Sequence, residues 1–444
     1  MTDTIFARAS GAGRAGVAVY RLSGPGAFSL VSILVGKRIK CRTPIRVRLR
    51  DPGDGGPIDH GLAILFKAPK SYTGEDVAEL HLHGAVSVEA GLFAALTGLG
   101  ARPAEAGEFT LRALKNGKLD LAQAEALADL IDSETTLQRK QALGQLDGRL
   151  SALAESWRAK LLAVMAPLEA DIDFPDEGDV PAAVAARAGP VIADLKSELT
   201  LYLEQSGRAR TIREGVSIAV VGPPNAGKSS LVNALAGSEV AIVSDIAGTT
   251  RDIVEARLDL AGVVAVIADT AGLHEGTGDV IEAEGMRRAR ARAEAADIRL
   301  GVLNPSAAYV SRETLALLRP GDFLLWTRAD LGAAIPQIVS PRGVEVLSVS
   351  SATGEGLPLL LDVLAKKVTA GPQAGGPALT RARHVKAVED AIAALARAEV
   401  NLGAAPELAA EDARLAARAL ASITGAVGVE DVLGEIFSSF CIGK

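Results

Sequence analysis

The chain has 444 residues, of which 48% are hydrophobic, and a formal net charge of −7 at pH 7. This length predicts two or three domains with packed cores, and the acidic balance argues against a general nucleic-acid coat. No apolar run approaches the roughly eighteen residues of a membrane span, and no signal peptide is expected at the N-terminus. Two cysteines, Cys41 and Cys441, are too few for a disulfide framework. We therefore expect a cytoplasmic protein.

Residues 1–118 predict an α+β domain, because short apolar runs alternate with glycines. Strand patterns lie at 17–22, 61–66 and 77–82, and a helical pattern lies at 86–99. The first fifty residues contain ten basic side chains and one acid, Asp3. This region could attract an anionic ligand or RNA, or it could be a solvated edge with salt-bridge partners elsewhere. Alternation places Glu79, His81 and His83 on one strand face, where an exposed polar face is favoured over a metal site.

Residues 119–212 predict a first helical part, which includes a long helical stretch at 134–170 and a turn at 171–178. Residues 371–444 begin with a glycine- and proline-containing linker and then predict a second helical part. The simplest assembly packs both parts into one discontinuous bundle, with residues 213–370 inserted between them.

The inserted segment contains a phosphate-binding P-loop. Gly222 to Ser229 reads Gly-Pro-Pro-Asn-Ala-Gly-Lys-Ser, which matches G-x-x-x-x-G-K-S. An apolar strand pattern precedes it and a helical pattern follows it, as this motif requires. Lys228 is predicted to reach the terminal phosphates, and Ser229 to offer its hydroxyl to Mg²⁺.

Four further loops follow predicted strands in the order of a GTPase domain. Asp269 to Gly272 would meet Mg²⁺ and the γ-phosphate, and Thr250 in the loop 246–252 could complete the magnesium shell. Asp330 and the loop 350–356 close two later strand patterns. We therefore predict an α/β P-loop GTPase domain.

The groups that would catalyse hydrolysis are harder to identify from the sequence than the groups that would bind the nucleotide. Leu273 stands where Ras-type enzymes place a water-orienting glutamine, so another group must supply that function or hydrolysis is very slow. Glu282 and Glu284 are candidates, although from chemistry alone acids at a helix N-terminus are favoured. Hydrolysis also needs a positive charge at the bridging oxygen of the phosphates, usually that of an arginine. This charge could come from Arg251, or from a monovalent cation held by carbonyls and Asn225.

The whole chain resembles the MnmE (TrmE) family of tRNA-modification GTPases. The resemblance lies in the P-loop, Ile246 to Asp252, Asp269 to Gly272 with Glu282, the segments 119–125 and 171–175, and the terminal Phe-Cys-Ile-Gly-Lys. The base-recognition motif departs from the usual Asn-Lys-x-Asp, because it reads Thr327-Arg-Ala-Asp330. Ser351 also stands where alanine is common. Since Thr327 is shorter than asparagine, we expect it to brace the base against the P-loop less well.

This resemblance implies a homodimer whose N-terminal domain binds a tetrahydrofolate derivative, 5,10-methylene or 5-formyl, through Arg21, Glu79, Lys118 and Lys444. It implies K⁺ held by Asn225, Ser244, Ile246 and Thr249, Mg²⁺ held by Ser229 and Thr250, and Glu282 as the general base acting through water. It further implies an MnmG-type FAD protein as partner in a heterotetramer, and tRNA as substrate. Cys441 matches a family cysteine linked to the modification chemistry, and a buried free thiol is nearly as well supported.

The predicted activity is GTP hydrolysis that drives addition of a carboxymethylaminomethyl-type group at C5 of the wobble uridine. The alternatives are an Era-like regulatory GTPase in ribosome assembly and a folate-binding scaffold with vestigial GTPase activity. The predicted nucleotide contacts are Asn225, Ala226, Gly227, Lys228, Ser229, Ser230, Ser244, Asp245, Ile246, Ala247, Gly248, Thr249, Thr250, Asp269, Thr270, Ala271, Gly272, Thr327, Arg328, Asp330, Ser350, Ser351 and Ala352.

Overall fold

The computed structural model describes residues 3–173, 180–242, 255–269, 287, 290–305, 311–332, 341–371, 378–427, 433–434, 437, 440 and 443. The chain divides into two compact units. The first comprises Met1–Ala128, Gln145–Ile192 and Ala393–Lys444, and the second comprises Asp129–Gly144 and Ala193–Ile392. Among the described residues, none of the helices is long and apolar enough to cross a membrane.

The first unit contains a six-stranded sheet in the order β3-β4-β5-β2-β1-β6. The strands are β1 (Ile5–Arg8), β2 (Ala15–Ser23), β3 (Ile45–Arg50), β4 (Pro57–Phe66), β5 (Val77–Gly84) and β6 (Arg102–Pro103). Only the β1–β6 pair is parallel. The helices are α1 (Ala27–Val35), α2 (Val86–Gly98) and α3 (Glu108–Lys115).

Alternation along the strands explains the core of this sheet. In β5, Leu80 and Leu82 are buried with residues of α1 and α2, whereas Glu79 and His81 lie on the opposite face. Glu79 and His81 are 3.4 Å apart, and His83 contacts Asp59 at 2.8 Å. Within the described residues, no group of three or more His, Cys, Asp or Glu could hold a metal ion. Glu79 and His81 thus share the strand face opposite the core, as the alternation predicts.

The helical elements are α4 (Leu121–Ile131), α5 (Thr136–Leu146), α6 (Arg149–Asp173), α7 (Val180–Glu214), α11 (Ala382–Asn401) and α12 (Pro406–Thr424). In the first unit α6 packs against α12, so a helix from residues 119–212 contacts a helix from residues 371–444. The prediction of one helical stretch at 134–170 is wrong, because α5 and α6 are separate. Gly148 lies between them with a φ of +82°, a left-handed conformation that interrupts a helix and favours glycine.

The second unit contains a six-stranded sheet in the order β12-β11-β10-β7-β9-β8. Its elements are β7 (Val216–Val221), α8 (Lys228–Ala236), β8 (Glu255–Leu260), β9 (Val263–Asp269), β10 (Ile298–Leu303), α9 (Arg312–Leu317), β11 (Phe323–Trp326), β12 (Glu345–Ser348) and α10 (Leu357–Val368). All neighbouring strands are parallel except β8 and β9. The inner strands β7, β9, β10 and β11 are mainly apolar and buried, because residues on both faces of the sheet pack into hydrophobic clusters, whereas the edge strand β8 alternates.

Candidate functional site

The P-loop lies at the point where the strand order of the second sheet reverses. Strand β7 is central, and the chain continues from it to β8 and β9 on one side and returns to β10 on the other. In open α/β sheets, ligands bind beyond the carboxyl ends of the strands at such a switch point. Strands β7, β9, β11 and β12 therefore all end on this edge, and each has predicted nucleotide contacts at or after its carboxyl end.

The conformation of the P-loop depends on three positions. A Cβ atom on Gly222 would lie 2.4 Å from the carbonyl oxygen of Val302 in β10, so only glycine allows this approach. Asn225 and Gly227 have φ of +61° and +98°, in the left-handed region that Asn and Gly tolerate best. Helix α8 then begins at Lys228, and its first backbone N–H groups have no partner within the helix. Together these features form an anion-binding helix start.

Two P-loop side chains stand beside an acid from β9. Lys228 is buried and donates from Nζ to the carbonyl oxygen of Pro223 at 3.0 Å. Burial lowers the pKa of Lys228, and the nearby Asp269 carboxylate opposes that shift. The Ser229 hydroxyl donates to Oδ2 of Asp269 at 2.5 Å. A hydroxyl and a carboxylate thus meet beside the loop, which is the oxygen donor set that Mg²⁺ prefers.

Thr327 follows β11 and connects the P-loop to the sheet. Its side chain is buried, and its hydroxyl lies 2.8 Å from the carbonyl oxygen of Ala226 and 3.2 Å from that of Leu303. Although threonine is shorter than asparagine, its hydroxyl therefore reaches the P-loop backbone. Arg328 follows with a φ of +59° and an exposed side chain.

Asp330 is held by the last of the predicted loops. Its Oδ1 atom accepts a hydrogen bond of 2.5 Å from the Ser350 hydroxyl, and Ser350 is fully buried. The Ser350 oxygen also lies 3.3 Å from the backbone N–H of Ala352 and 3.2 Å from that of Thr353. These bonds fix the orientation of an exposed carboxylate, which suits it to accept hydrogen bonds from a ligand edge.

Ser230 lies in the first turn of α8, and Ser351 lies in the loop after β12. The other predicted nucleotide positions and the predicted general base lie outside the described residues. They are Ser244, Asp245, Ile246, Ala247, Gly248, Thr249, Thr250, Thr270, Ala271, Gly272 and Glu282. The same holds for Arg251, Leu273, Glu284, Cys441 and Lys444.

Two of the predicted folate contacts lie together on the first sheet. Arg21 and Glu79 face each other across β2 and β5, and the guanidinium donates to Oε1 of Glu79 from Nε at 3.1 Å and from Nη2 at 3.0 Å. Lys118 instead donates to the carbonyl oxygen of Pro69 at 3.1 Å. Lys118 therefore contacts the segment that leads into Tyr72, and makes no hydrogen bond to Arg21 or Glu79.

Two aromatic neighbours of Arg21 were not predicted as site residues. The Arg21 guanidinium carbon lies 5.0 Å from the centre of the Tyr72 ring and 5.9 Å from that of Phe109. The Tyr72 hydroxyl is 2.8 Å from that of Thr110, and burial raises the pKa of Tyr72. Tyr72 also lines a cavity of about 560 Å³. The polar run at residues 71–76, which contains Tyr72, was the one sequence feature that could have indicated this part of the site. The contact between Tyr72 and Arg21 could not be predicted, because it depends on tertiary packing.

Comparison with known proteins covers the whole chain. Residues 121–441 match the family described as the MnmE helical domain, and residues 4–118 match the GTP-binding protein TrmE N-terminus. The tRNA modification GTPase MnmE of Parvibaculum lavamentivorans is 51% identical over 447 residues, which cover 100% of both chains. The protein of that name from Paramagnetospirillum magneticum is 49% identical over 450 residues, again 100% of both chains.

Among solved structures, the G domain of the Thermotoga maritima FeoB iron transporter is 25% identical and covers 34% of this chain and 98% of its own. Its TM-score of 0.26 is too low to support a shared fold. Two domain matches and the full-length identities instead show the family. On those grounds, the chain belongs to the MnmE family of tRNA modification GTPases.

Proposed function

We propose that the chain hydrolyses GTP and, with an MnmG-type flavoprotein, installs a carboxymethylaminomethyl-type group at C5 of the wobble uridine of certain tRNAs. The observation that carries this proposal is full-length similarity to tRNA modification GTPases, 51% over 447 residues. It is supported by a P-loop at the switch point of a parallel sheet. Neither feature favours an Era-like regulator or a folate-binding scaffold without GTPase activity.

The nucleotide phosphates would lie on the P-loop and the start of α8. Lys228 would balance the charge of the terminal phosphates, and Ser229 and Thr250 would hold Mg²⁺. The meeting of the Ser229 hydroxyl with Asp269 supports this, because two oxygen donors already converge there. When bound, Mg²⁺ neutralises charge that develops on the phosphate oxygens. The chain itself would orient the phosphates and fix their distance from the attacking water.

The hydrolytic step would depend on Glu282 as a general base acting through water. K⁺ would be held by Asn225, Ser244, Ile246 and Thr249, and would add positive charge where Ras-type enzymes receive an arginine. The left-handed backbone and exposed side chain of Asn225 support its role, since they leave the amide oxygen accessible beside the P-loop.

The N-terminal domain would bind the tetrahydrofolate derivative through Arg21, Glu79, Lys118 and Lys444. A carboxylate such as Glu79 can accept two adjacent N–H groups of a flat heterocycle, and Arg21 already orients this carboxylate. Tyr72 adds an aromatic surface and a neighbouring cavity. These groups fit a pterin, which is planar, aromatic and rich in hydrogen-bonding edges. Cys441 is a further candidate for the modification chemistry.

In the proposed architecture, residues 1–118 form the folate-binding and dimerisation domain. Residues 119–212 and 371–444 form one helical domain, and residues 213–370 form the inserted GTPase domain. The packing of α6 against α12 supports the joining of the two helical parts. The assembly would be a homodimer that joins the flavoprotein in a heterotetramer and acts on tRNA in the cytoplasm.

Mass spectrometry of tRNA nucleosides from a strain that lacks this chain tests the function. The modified wobble uridine should disappear and return when the wild-type gene is supplied. A Glu282→Ala gene should fail to restore it, whereas Glu284→Ala, the matched neighbouring acid, should succeed. Unchanged wobble uridines in the deletion strain, together with accumulated ribosomal precursors, would instead support the Era-like alternative.

A further inference from the structure

A row of basic side chains follows helix α1 and continues along strand β3. It comprises Lys37, Arg38, Lys40, Arg42, Arg46, Arg48 and Arg50, and we call it the basic edge. All seven are exposed. No acid occurs between residues 37 and 50, so this segment carries seven positive charges in a chain whose net charge is −7.

Strand β3 presents its arginines in one direction. Val47 and Leu49 are buried in the core beneath α1 and α2, so the alternating Arg46, Arg48 and Arg50 point away from that core. Successive arginines are about 7 Å apart along an extended strand. Because β3 is the first strand in the sheet order, one side of it has no neighbouring strand in the described structure.

The side chains of the basic edge make no ion pairs with the described acids near them. None of its seven residues makes an ion pair with any described residue, although Arg42 and Arg50 donate to the uncharged carbonyl groups of Lys70 and Gly55. In the adjoining turn, Asp51 and Asp54 accept hydrogen bonds from backbone N–H groups.

The positions directly opposite the β3 arginines are also free of acids. Arg46 faces Leu62, Arg48 faces His60, and Arg50 faces Pro57 in β4. The next acid along β4, Asp59, already contacts His83. Seven like charges without local partners create a field that favours an external polyanion.

We propose that the basic edge docks the sugar–phosphate backbone of the tRNA substrate. This inference rests on the proposed function, which supplies tRNA as the polyanion. A second copy of the chain fits this surface poorly, because a two-fold interface would place like charges against each other. Arg42, outside the strand, lines the cavity that Phe66 and Tyr72 also line. No Phe, Tyr or Trp lies in β3 or opposite its arginines, however, so this part of the surface lacks the aromatic platform on which bases stack. The contacts would therefore position the tRNA without reading its sequence.

The test is fluorescence anisotropy of labelled tRNA with the full chain at several salt concentrations. Each phosphate contact contributes about 0.7–0.9 to the slope of log K against log salt. Arg46→Ala/Arg48→Ala should lower the magnitude of this slope by about 1.4–1.8. If variant and wild type bind equally at 1 M salt, the variant should then bind about 25- to 60-fold more weakly than the wild type at 0.1 M salt. Arg46→Lys/Arg48→Lys should keep the slope, because a phosphate contact needs the charge and not the planar fork.

Arg312→Ala/Arg418→Ala is the matched control, since both arginines are exposed and the same total charge is removed. It should bind tRNA as the wild type does, and melting followed by circular dichroism confirms that every variant is folded. The proposal is overturned if the basic-edge and control variants lose affinity equally, if neither loses it, or if the wild type does not bind tRNA. Failure of the proposed function would look different: the deletion strain would keep its wobble uridines even if the basic edge binds RNA.

Discussion

Asp330→Asn should weaken GTP binding and create affinity for xanthosine triphosphate. Guanine presents two adjacent donors, N1–H and the exocyclic amine, and a carboxylate accepts both. The Ser350 hydroxyl contacts Oδ1 of Asp330 at 2.5 Å, so in the variant this hydroxyl should hold the amide oxygen at the same place. The amide N–H₂ then occupies the other position and meets a guanine donor.

The expected loss is about 2–4 kcal/mol, the cost of leaving a donor unpaired against another donor. This corresponds to about 30- to 900-fold in the dissociation constant of GTP. Xanthine has a carbonyl in place of the exocyclic amine and can accept from the new amide, so its triphosphate should bind the variant better than it binds the wild type.

Competition of GTP, ATP and xanthosine triphosphate against a fluorescent nucleotide measures all three affinities. Ser350→Ala is the control, because it removes the hydroxyl that orients Asp330 and keeps the carboxylate. We expect it to cost about 0.5–1.5 kcal/mol of GTP affinity without any gain for xanthosine triphosphate. If Asp330→Asn retains its GTP affinity, Asp330 does not contact the base and the assignment of this motif is wrong.

Four further outcomes are expected. Replacing K⁺ by Na⁺ should abolish most GTP turnover, and Asn225→Ala should remove the stimulation by K⁺ in a turnover assay. Asn225 has a φ of +61°, so alanine there also strains the backbone. Asn225→Gly avoids that strain, and it should be more stable than Asn225→Ala but equally insensitive to K⁺. Thr327→Val should lower the free energy of unfolding by about 1–3 kcal/mol, since the hydroxyl no longer donates to the buried carbonyl oxygen of Ala226, and an unchanged melting temperature would contradict this. Burial opposes ionisation of Glu108, but hydrogen bonds from Arg102 and Arg112 hold its pKa below the usual value. The stability from this carboxylate is therefore present above pH 4.5 and is lost as pH falls through the lowered pKa. Glu108→Gln should reduce the fall in unfolding free energy at acid pH, as measured by urea titration. GDP with aluminium fluoride and K⁺ should pair the GTPase domains, and small-angle scattering without compaction would count against pairing.

Local motifs predicted best the strands and the helix that surround the P-loop. The P-loop pattern requires a strand, a glycine-rich turn and a helix in fixed order, and β7 and α8 follow that order. Asp269 was placed at a strand end for the same reason, and it is the last residue of β9. These structural predictions are confirmed, because the motif residues themselves specify the backbone conformation.

Tertiary contacts were harder to predict. The pairing of Arg21 with Glu79 depends on the register of β2 against β5, which two strand patterns 58 residues apart do not determine. The length of the Thr327 side chain predicts poor contact with the P-loop, but the P-loop backbone passes close enough for the hydroxyl to reach the carbonyl oxygen of Ala226. In contrast, the Ile-Arg-Val-Arg-Leu-Arg run of β3 is a strand pattern that was considered only as charge.

The close approach of Gly222 to β10 has a consequence for the thermodynamics of ligand capture. The carbonyl oxygen of Val302 occupies the space where any other residue would carry Cβ, so the start of the loop is fixed by the sheet itself. Confining a flexible backbone residue costs about 1–2 kcal/mol of conformational entropy. Here this conformational entropy is lost when the domain folds, and not when a phosphate binds. The loop can therefore convert more of its contact energy into affinity, and association requires little rearrangement of the backbone at this point.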